Sequence, residues 1–391
     1  MLPGLKIIVR LINFESSPEM KIAIIRQKYT SSGGAERFVQ NALMSLQHHS
    51  DVQVDILARK WKEVPGVNFV KINPFHFGSL WRDLSFAKGV RDYINKNRYD
   101  IVQSHERIPG CNIYRAGDGL HVKWLSLRKS AGFQASKFNL YHSYILNAER
   151  EMFNSSELRH VICNSKMVMD EISYYFPVAK DKCRLIYNGV DLQRFSYPVN
   201  SHVRRLTRQR LGLKEDQPVL VFVGSGFQRK GLRKAVDAVH ASSKEVALIV
   251  VGGDKNQQQY ASYARSILGE SRAIFVGETR PDEYLTCADA FILPTLYDPF
   301  PNSAMEAFAS GLPVLTTKQC GAAEIIEENQ NGYVFDFFNV KQQSLVIQQW
   351  LDNRLRWNEM RHKARDAVSL MTIESATNEM LSLYRKMTND T

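Results

Sequence analysis

Cysteine is scarce in this chain. There are five in 391 residues (Cys111, Cys163, Cys183, Cys287 and Cys320), and no two form a CxxC pair. An odd, scattered set argues against a disulfide framework and a structural zinc, and it suits a reducing cytoplasm. Long apolar runs are missing too. The longest candidates, Val219–Val223 and Ala247–Val251, are strand-sized, far short of the roughly 20 residues of a spanning helix. Acid is in deficit: 40 Asp and Glu against 51 Lys and Arg leave a formal charge of +11. That surplus fits nucleic acid, an anionic membrane face or a phosphorylated substrate; it also fits a solvated basic surface with no partner. No GKS or GKT occurs, so the Walker phosphate pattern is absent.

What is present points to two soluble-type domains. The length exceeds what one core usually organises, and 44% hydrophobic with 23% charged residues is ordinary for a globular protein. Residues 1–19 stand apart. Leu2–Ile12 is mildly apolar with Lys6 and Arg10 and lacks a small-residue cleavage site, which argues against a signal peptide. An upstream start codon or a short leader is the simpler expectation. From Met20, short apolar runs alternate with helical spacing: Lys21–Ile25, then Phe38, Val39, Ala42, Leu43 and Leu46, then Val52–Leu57, Val67–Ile72 and Ile101–Ser104. Residues 111–160 are less regular. Val161–Cys163 and Leu185–Tyr187 read as the last strands of the first domain.

The turn Asn188-Gly189-Val190-Asp191 closes that domain, which sets it at residues 20–190 and the second at 191–391. The polar stretch Ser196–Arg210 reads as the connector. Strands follow at Val219–Val223, Ala247–Val251, Ile274–Val276, Ala290–Leu293 and Val314–Thr316, and the chain beyond Gln342 looks helical. The fold class is α/β, two doubly wound Rossmann-like domains facing a central cleft. Such sheets bind ligands at their carboxyl edges.

Four segments carry chemistry. Gly224-Ser225-Gly226-Phe227-Gln228-Arg229-Lys230-Gly231 follows a buried-type strand. Its glycines admit a close ligand, and Arg229 and Lys230 supply a planar fork and a point charge suited to a diphosphate. A tight turn with a solvated basic pair is the alternative. Next, Asp298 precedes a helix start at Pro301 and Asn302, and Glu306 lies in its first turns. Free N–H groups at Asn302 and Ser303 suit an anion, and the two carboxylates suit sugar and ribose hydroxyls. Gly33-Gly34 forms a second anion-friendly helix start, or only a turn. Arg115-Ala116-Gly117-Asp118-Gly119-Leu120-His121 suits a loop carrying polar groups to a cleft, or a structural turn.

Together these segments resemble the retaining glycosyltransferases of family 4 (group 1), which include glycogen, sucrose and lipopolysaccharide-core synthases. The resemblance spans the chain from Met20. Glu306-Ala307-Phe308-Ala309-Ser310-Gly311-Leu312-Pro313-Val314 matches the family segment EAxxxGxPV. The family's first glutamate, separated from this one by seven residues, is Asp298 here, so one carboxylate is shorter. Arg229 and Lys230 match the diphosphate pair, Gly33 and Gly34 the glycine loop of the first domain, and Arg280 falls in the region that holds the base. Within the family, the chain looks most like the lipopolysaccharide-core glucosyltransferases, through GSGFQRKG and GLPVLTTKQCG.

The resemblance implies a GT-B fold with the acceptor in the first domain, the nucleotide sugar in the second, and a C-terminal helix crossing back. It implies retaining transfer of a hexose, glucose by resemblance, from a UDP-sugar to a lipopolysaccharide-core or related glycolipid. Arg229 and Lys230 would stabilise the departing diphosphate, while Asp118 and His121 would position the acceptor hydroxyl. No DxD motif appears among the donor-site candidates, so no metal and no cofactor is expected. The basic, aromatic piece Leu120–Phe153, with Lys123, Trp124, Arg128, Lys129, Phe133, Lys137, Tyr141 and Tyr144, is the expected contact with an anionic membrane. A nucleic-acid surface would show the same composition, but no nucleic-acid partner is expected. The expected location is cytoplasmic, peripheral on the inner face of the bacterial inner membrane. Alternatives are a non-catalytic nucleotide- or polyanion-binding protein on the same shell, or a nucleotide-sugar epimerase.

Overall fold

The computed structural model describes residues 20–28, 34–46, 49, 51–133 and 139–389. The first half holds strands β1 (Met20–Ile25), β2 (Val52–Ala58), β3 (Asn68–Lys71), β4 (Ile101–Ser104), β5 (Ile113–Arg115), β6 (His160–Cys163) and β7 (Cys183–Leu185). The second holds β8 (Val219–Val223), β9 (Ala247–Val251), β10 (Ala273–Gly277), β11 (Ala290–Leu293), β12 (Val314–Thr317) and β13 (Gly332–Phe335). Each set forms one parallel sheet, ordered β3-β2-β1-β4-β5-β6-β7 and β10-β9-β8-β11-β12-β13. The α/β, doubly wound reading holds for both. Continuous apolar runs explain the inner strands: every residue of β8 and β9 is buried, as helices on both faces require.

The first half's helices are α1 (Gly34–Leu46), α2 (Gly78–Lys96), α3 (His121–Ser130), α4 (Leu140–Asn154) and α5 (Lys166–Tyr175). The second half's are α6 (Ser201–Arg210), α7 (Phe227–Lys230), α8 (Leu232–Ser242), α9 (Gln257–Leu268), α10 (Asp282–Cys287), α11 (Asn302–Ala309), α12 (Val340–Asp352), α13 (Trp357–Asp366) and α14 (Ile373–Asn389). Gly34 opens α1, while Gly33 and Lys137 lie outside the described residues.

Three expectations need correction. The stretch Ser196–Arg210 is no linker, because its second part is α6. Asn200 caps that helix by accepting from His202 N and Val203 N at 3.0 and 3.1 Å. Two of its arginines turn inward: Arg204 and Arg208 pair with the buried Asp289 at 2.5 and 2.7 Å and donate to the carbonyl of Cys287 at 2.9 Å each. Strands β5 and β13 were not anticipated, since one ends on a charged residue and the other opens on glycine. Strand β7 starts earlier than Leu185; as an edge strand it tolerates an exposed Arg184.

The chain crosses between the halves twice, side by side. Val190 bridges to Thr372, and its N–H donates to Met371 O at 2.9 Å. Beyond that crossing α14 joins the first half's core, where Ala376, Met380, Leu381 and Tyr384 pack in one cluster with Leu43 and Leu46. The buried Tyr384 hydroxyl donates to Gln103 Oε1 at 2.7 Å. Among the described residues no helix is long and apolar enough to cross a membrane. All five cysteines are free and buried.

Candidate active site

In each sheet the strand order reverses beside the first strand, at β1/β4 and at β8/β11. Chain leaving the carboxyl ends there diverges and leaves a crevice. The two crevices face each other across one cleft of about 910 Å³, walled by both halves.

The second half's wall is built by the loops after β8 and β11. Gly226 and Gly231, both left-handed, bracket the single turn α7, which aims Arg229 and Lys230 into the cleft. Gly224 has φ +154°, and a Cβ there would lie 2.5 Å from Lys230 Cδ. Only glycine lets the lysine lie across that strand end. Arg229 donates to Tyr297 O at 2.7 Å and to Asp298 Oδ2 at 3.2 Å, and Lys230 Nζ stands 3.4 Å from the same oxygen. Asp298 is therefore the common partner of both cations. Burial pushes the Lys230 ammonium below the ordinary lysine value, and the Asp298 carboxylate opposes this.

Helix α11 starts beside them with no side-chain cap. Asn302 and Ser303 line the cleft, and the buried Ser303 hydroxyl has no hydrogen-bond partner among the described residues. Two cations beside an uncapped helix start are chemically suited to an anion. Arg280 lines the same wall with Glu278 and Thr279 beyond β10. Glu306 is buried one turn into α11.

The first half's wall brings Asp118 and His121 together with residues the spacing did not single out. Asp118 opens to the cleft and pairs with Arg26 at 2.9 Å. The surrounding protein pushes its carboxyl up, but Arg26 and then Arg107 outweigh this and hold it below the ordinary value. His121 begins α3. Burial, reinforced by the Arg107 charge, pushes its imidazole down to about 3, so it is neutral at physiological pH. Its Nε2 lies 3.0 Å from His142 Nδ1. His105, at the end of β4, is buried and also held well below its ordinary value, first by burial. Arg26 and His105 could have been found by reading the residues just past the carboxyl ends of β1 and β4. Nothing local marks Arg107.

Behind this wall stands Glu149 of α4, 1% exposed. It accepts from Arg107 Nε at 2.9 Å, His121 N at 2.9 Å and Val122 N at 3.2 Å. One carboxylate thus fixes a cleft arginine and caps α3.

The halves also touch directly. Asn188 donates to Asn302 Oδ1 at 2.8 Å and accepts from Arg115 at 2.6 Å. Glu324 caps α5 from across the cleft, accepting from Lys166 N at 2.9 Å. The Tyr297 hydroxyl donates to Glu171 Oε2 at 2.6 Å and accepts from Leu120 N at 3.0 Å. A Cβ on Gly119 would overlap that hydroxyl, so the halves meet on bare backbone. Trp124 and Phe133, expected at a membrane, instead pack with Leu127 against Leu296, Tyr297 and Phe337 of the other half.

Burial pushes the Glu171 carboxyl up to about 7, against the opposing Tyr297 hydrogen bond and Lys123. The unfolded group titrates near 4.5. Between these values the folded protein holds the extra proton, so stability falls as pH rises from 4.5 to about 7 and is flat above. Glu171→Gln keeps an acceptor for Tyr297 and removes the titration. It is expected to raise the melting temperature by roughly 2 °C near pH 8 and to change almost nothing below about pH 4, as a pair of thermal melts would show.

Comparison with known proteins agrees with this fold. Residues 32–194 match the family described as Glycosyltransferase Family 4, and residues 203–368 match Glycosyl transferases group 1. The chain belongs to the family 4, group 1 glycosyltransferases. It is 22% identical to the lipopolysaccharide glucosyltransferase WaaG of Escherichia coli K12, over 93% of this chain and 99% of that enzyme. It is 23% identical to the lipopolysaccharide core biosynthesis glycosyltransferase LpsE of Rhizobium meliloti, over 91% and 96%. The crystal structure of WaaG superposes with a TM-score of 0.80 at 20% identity, covering 93% and 99%. That of Anabaena Alr3699/HepE in complex with UDP-glucose gives 0.71 at 17%, covering 94% and 100%. The protein is thus a GT-B glycosyltransferase related to the lipopolysaccharide core glucosyltransferases.

Proposed function

We propose that this glycosyltransferase moves glucose, with retention, from UDP-glucose to a lipopolysaccharide-core or related glycolipid. The observation that carries the reading is the anion site of Arg229, Lys230 and the open start of α11, facing Asp118 and His121 across the cleft. In the reaction the bond from sugar C1 to the diphosphate oxygen breaks and UDP leaves with the electron pair. The acceptor hydroxyl attacks C1 on the same face, and its proton passes to the departing phosphate. Negative charge grows on the diphosphate as this happens, so fixed cations favour the transition state over the bound donor. Asp118 and neutral His121 orient the acceptor hydroxyl. Arg280 holds the base, Glu306 supports the ribose from within α11, and Gly33 and Gly34 complete the phosphate site. Asp298 keeps Arg229 and Lys230 aligned and faces the transferred sugar. The likeness to WaaG and to the UDP-glucose complex of HepE supports the choice of donor and acceptor.

The enzyme meets the inner membrane from its cytoplasmic side through its first half, where such an acceptor would lie. A panel of nucleotide sugars in thermal melts tests the donor. UDP-glucose is expected to stabilise the protein most, by about 2.7 kcal/mol at a hundredfold excess over its dissociation constant. Equal response to GDP- and ADP-sugars would refute the assignment. Charge neutralisation by two cations also requires no metal, so EDTA is expected to leave the transfer rate within about twofold.

A further inference from the structure

Most exposed apolar residues here stand singly, as Leu355 and Leu370 do. One group does not. Phe75 and Phe77, 80% and 82% exposed, flank His76 just ahead of α2, and Trp81, 51% exposed, follows on its first turn. The rings of Phe75 and Trp81 meet edge-on, their centroids 5.9 Å apart. Leu84 extends the same face three residues on, and Leu140, 73% exposed, opens the neighbouring α4. The two helix starts are pinned together, because Asp83 accepts from the Tyr141 hydroxyl at 3.1 Å.

Exposing so many aromatic rings together in water is unfavourable and calls for an apolar partner. Charge selects which one. From Lys71 to Lys96 there are five Lys and Arg against two acids, and one of those acids, Asp83, is tied to Arg82 at 2.7 Å. Lys71, Lys88 and Arg91 of this stretch are exposed. Aromatic side chains ringed by cations match the boundary of an anionic bilayer, where rings sit at headgroup depth and cations meet phosphates. The alternative, α3 with the turn after it, engages its aromatic residues at the contact between halves: Trp124 and Phe133, both half-buried, pack against the Leu296–Tyr297 cluster.

We infer that the tip formed by Phe75, Phe77, Trp81 and Leu140 inserts into the surface of an anionic lipid bilayer. This inference rests on the reading above that the acceptor is a membrane glycolipid. It also sets the orientation. Tyr141 is followed by His142, which contacts His121 at the cleft, so the inserted tip holds the acceptor side of the cleft toward the lipid.

The test is co-sedimentation of the full chain with vesicles, without donor or acceptor, so that it stands apart from any failure of sugar transfer. Vesicles of phosphatidylcholine with about one third phosphatidylglycerol are compared with phosphatidylcholine alone. The wild type is expected to favour the anionic vesicles by roughly tenfold or more. The triple variant Phe75→Ser, Phe77→Ser, Trp81→Ser is expected to bind about 100-fold more weakly with an unchanged melting temperature. Leu355→Ser with Leu370→Ser, 100% and 85% exposed on the other half, is expected to bind like the wild type. No preference for anionic vesicles, a triple variant that binds normally, or an equal loss in the leucine control would each overturn the inference. So would a concentration-dependent dimer that the triple variant abolishes in place of vesicle binding.

Discussion

Lys230→Ala is expected to lower the rate of sugar transfer by roughly 10²–10³-fold, the usual consequence of losing one fixed charge aimed at a developing anion. Lys230 is 9% exposed, sits on a single helical turn and is held by Asp298. It therefore needs no reorganisation when the diphosphate departs. Burial lowers its pKa and the Asp298 carboxylate opposes this. A bound diphosphate would add a second opposing negative charge. The loss should appear in kcat more than in KM, because the charge matters most in the transition state. Arg229 still pairs with Asp298 in the variant, so the fold should persist, and a thermal melt checks this. Near-normal turnover in a folded variant would remove the diphosphate assignment.

Glu149→Ala is expected to have the second large effect, this time on stability. The carboxylate answers the Arg107 guanidinium and two N–H groups at the start of α3. Removing it strands a largely buried cation and uncaps a helix at once. Breaking a buried pair from one side costs roughly 3–5 kcal/mol, which corresponds to a fall in melting temperature on the order of 10 °C. Turnover should fall as well, since Arg107 and His121 both line the cleft. Glu149→Gln keeps an acceptor for the N–H groups and should recover about half of the lost stability. An unchanged denaturation midpoint for Glu149→Ala would contradict the assigned role.

Much of the fold was legible because its strands are short, mostly apolar and separated by helical spacing. Val219–Val223, Ala247–Val251, Ile101–Ser104 and Ala290–Leu293 were read at their true limits. Arg204 and Arg208 misled because cations imply solvent unless their acid is visible. That acid, Asp289, lies 85 and 81 residues away. The second half's cleft wall was legible from glycine and charge placed after strands. The contacts between the halves were not: Tyr297 and Glu171 are 126 residues apart, and Asn188 and Asn302 are 114 apart. Composition likewise marked α3 as aromatic and basic without telling which surface its rings face. Docking of the two halves decides that, and it turns Trp124 inward while Phe75 and Phe77 remain outside.

The central claim is transfer of glucose with retention, and proton NMR of one reaction tests it directly. The enzyme is mixed with UDP-glucose, itself an α-glucoside, and a core-truncated lipopolysaccharide in detergent. The reading predicts loss of the UDP-glucose anomeric signal, an equal gain of UDP, and a new α-glucosyl signal on the acceptor. UDP-glucose left intact, or a product carrying the β signal, would contradict it.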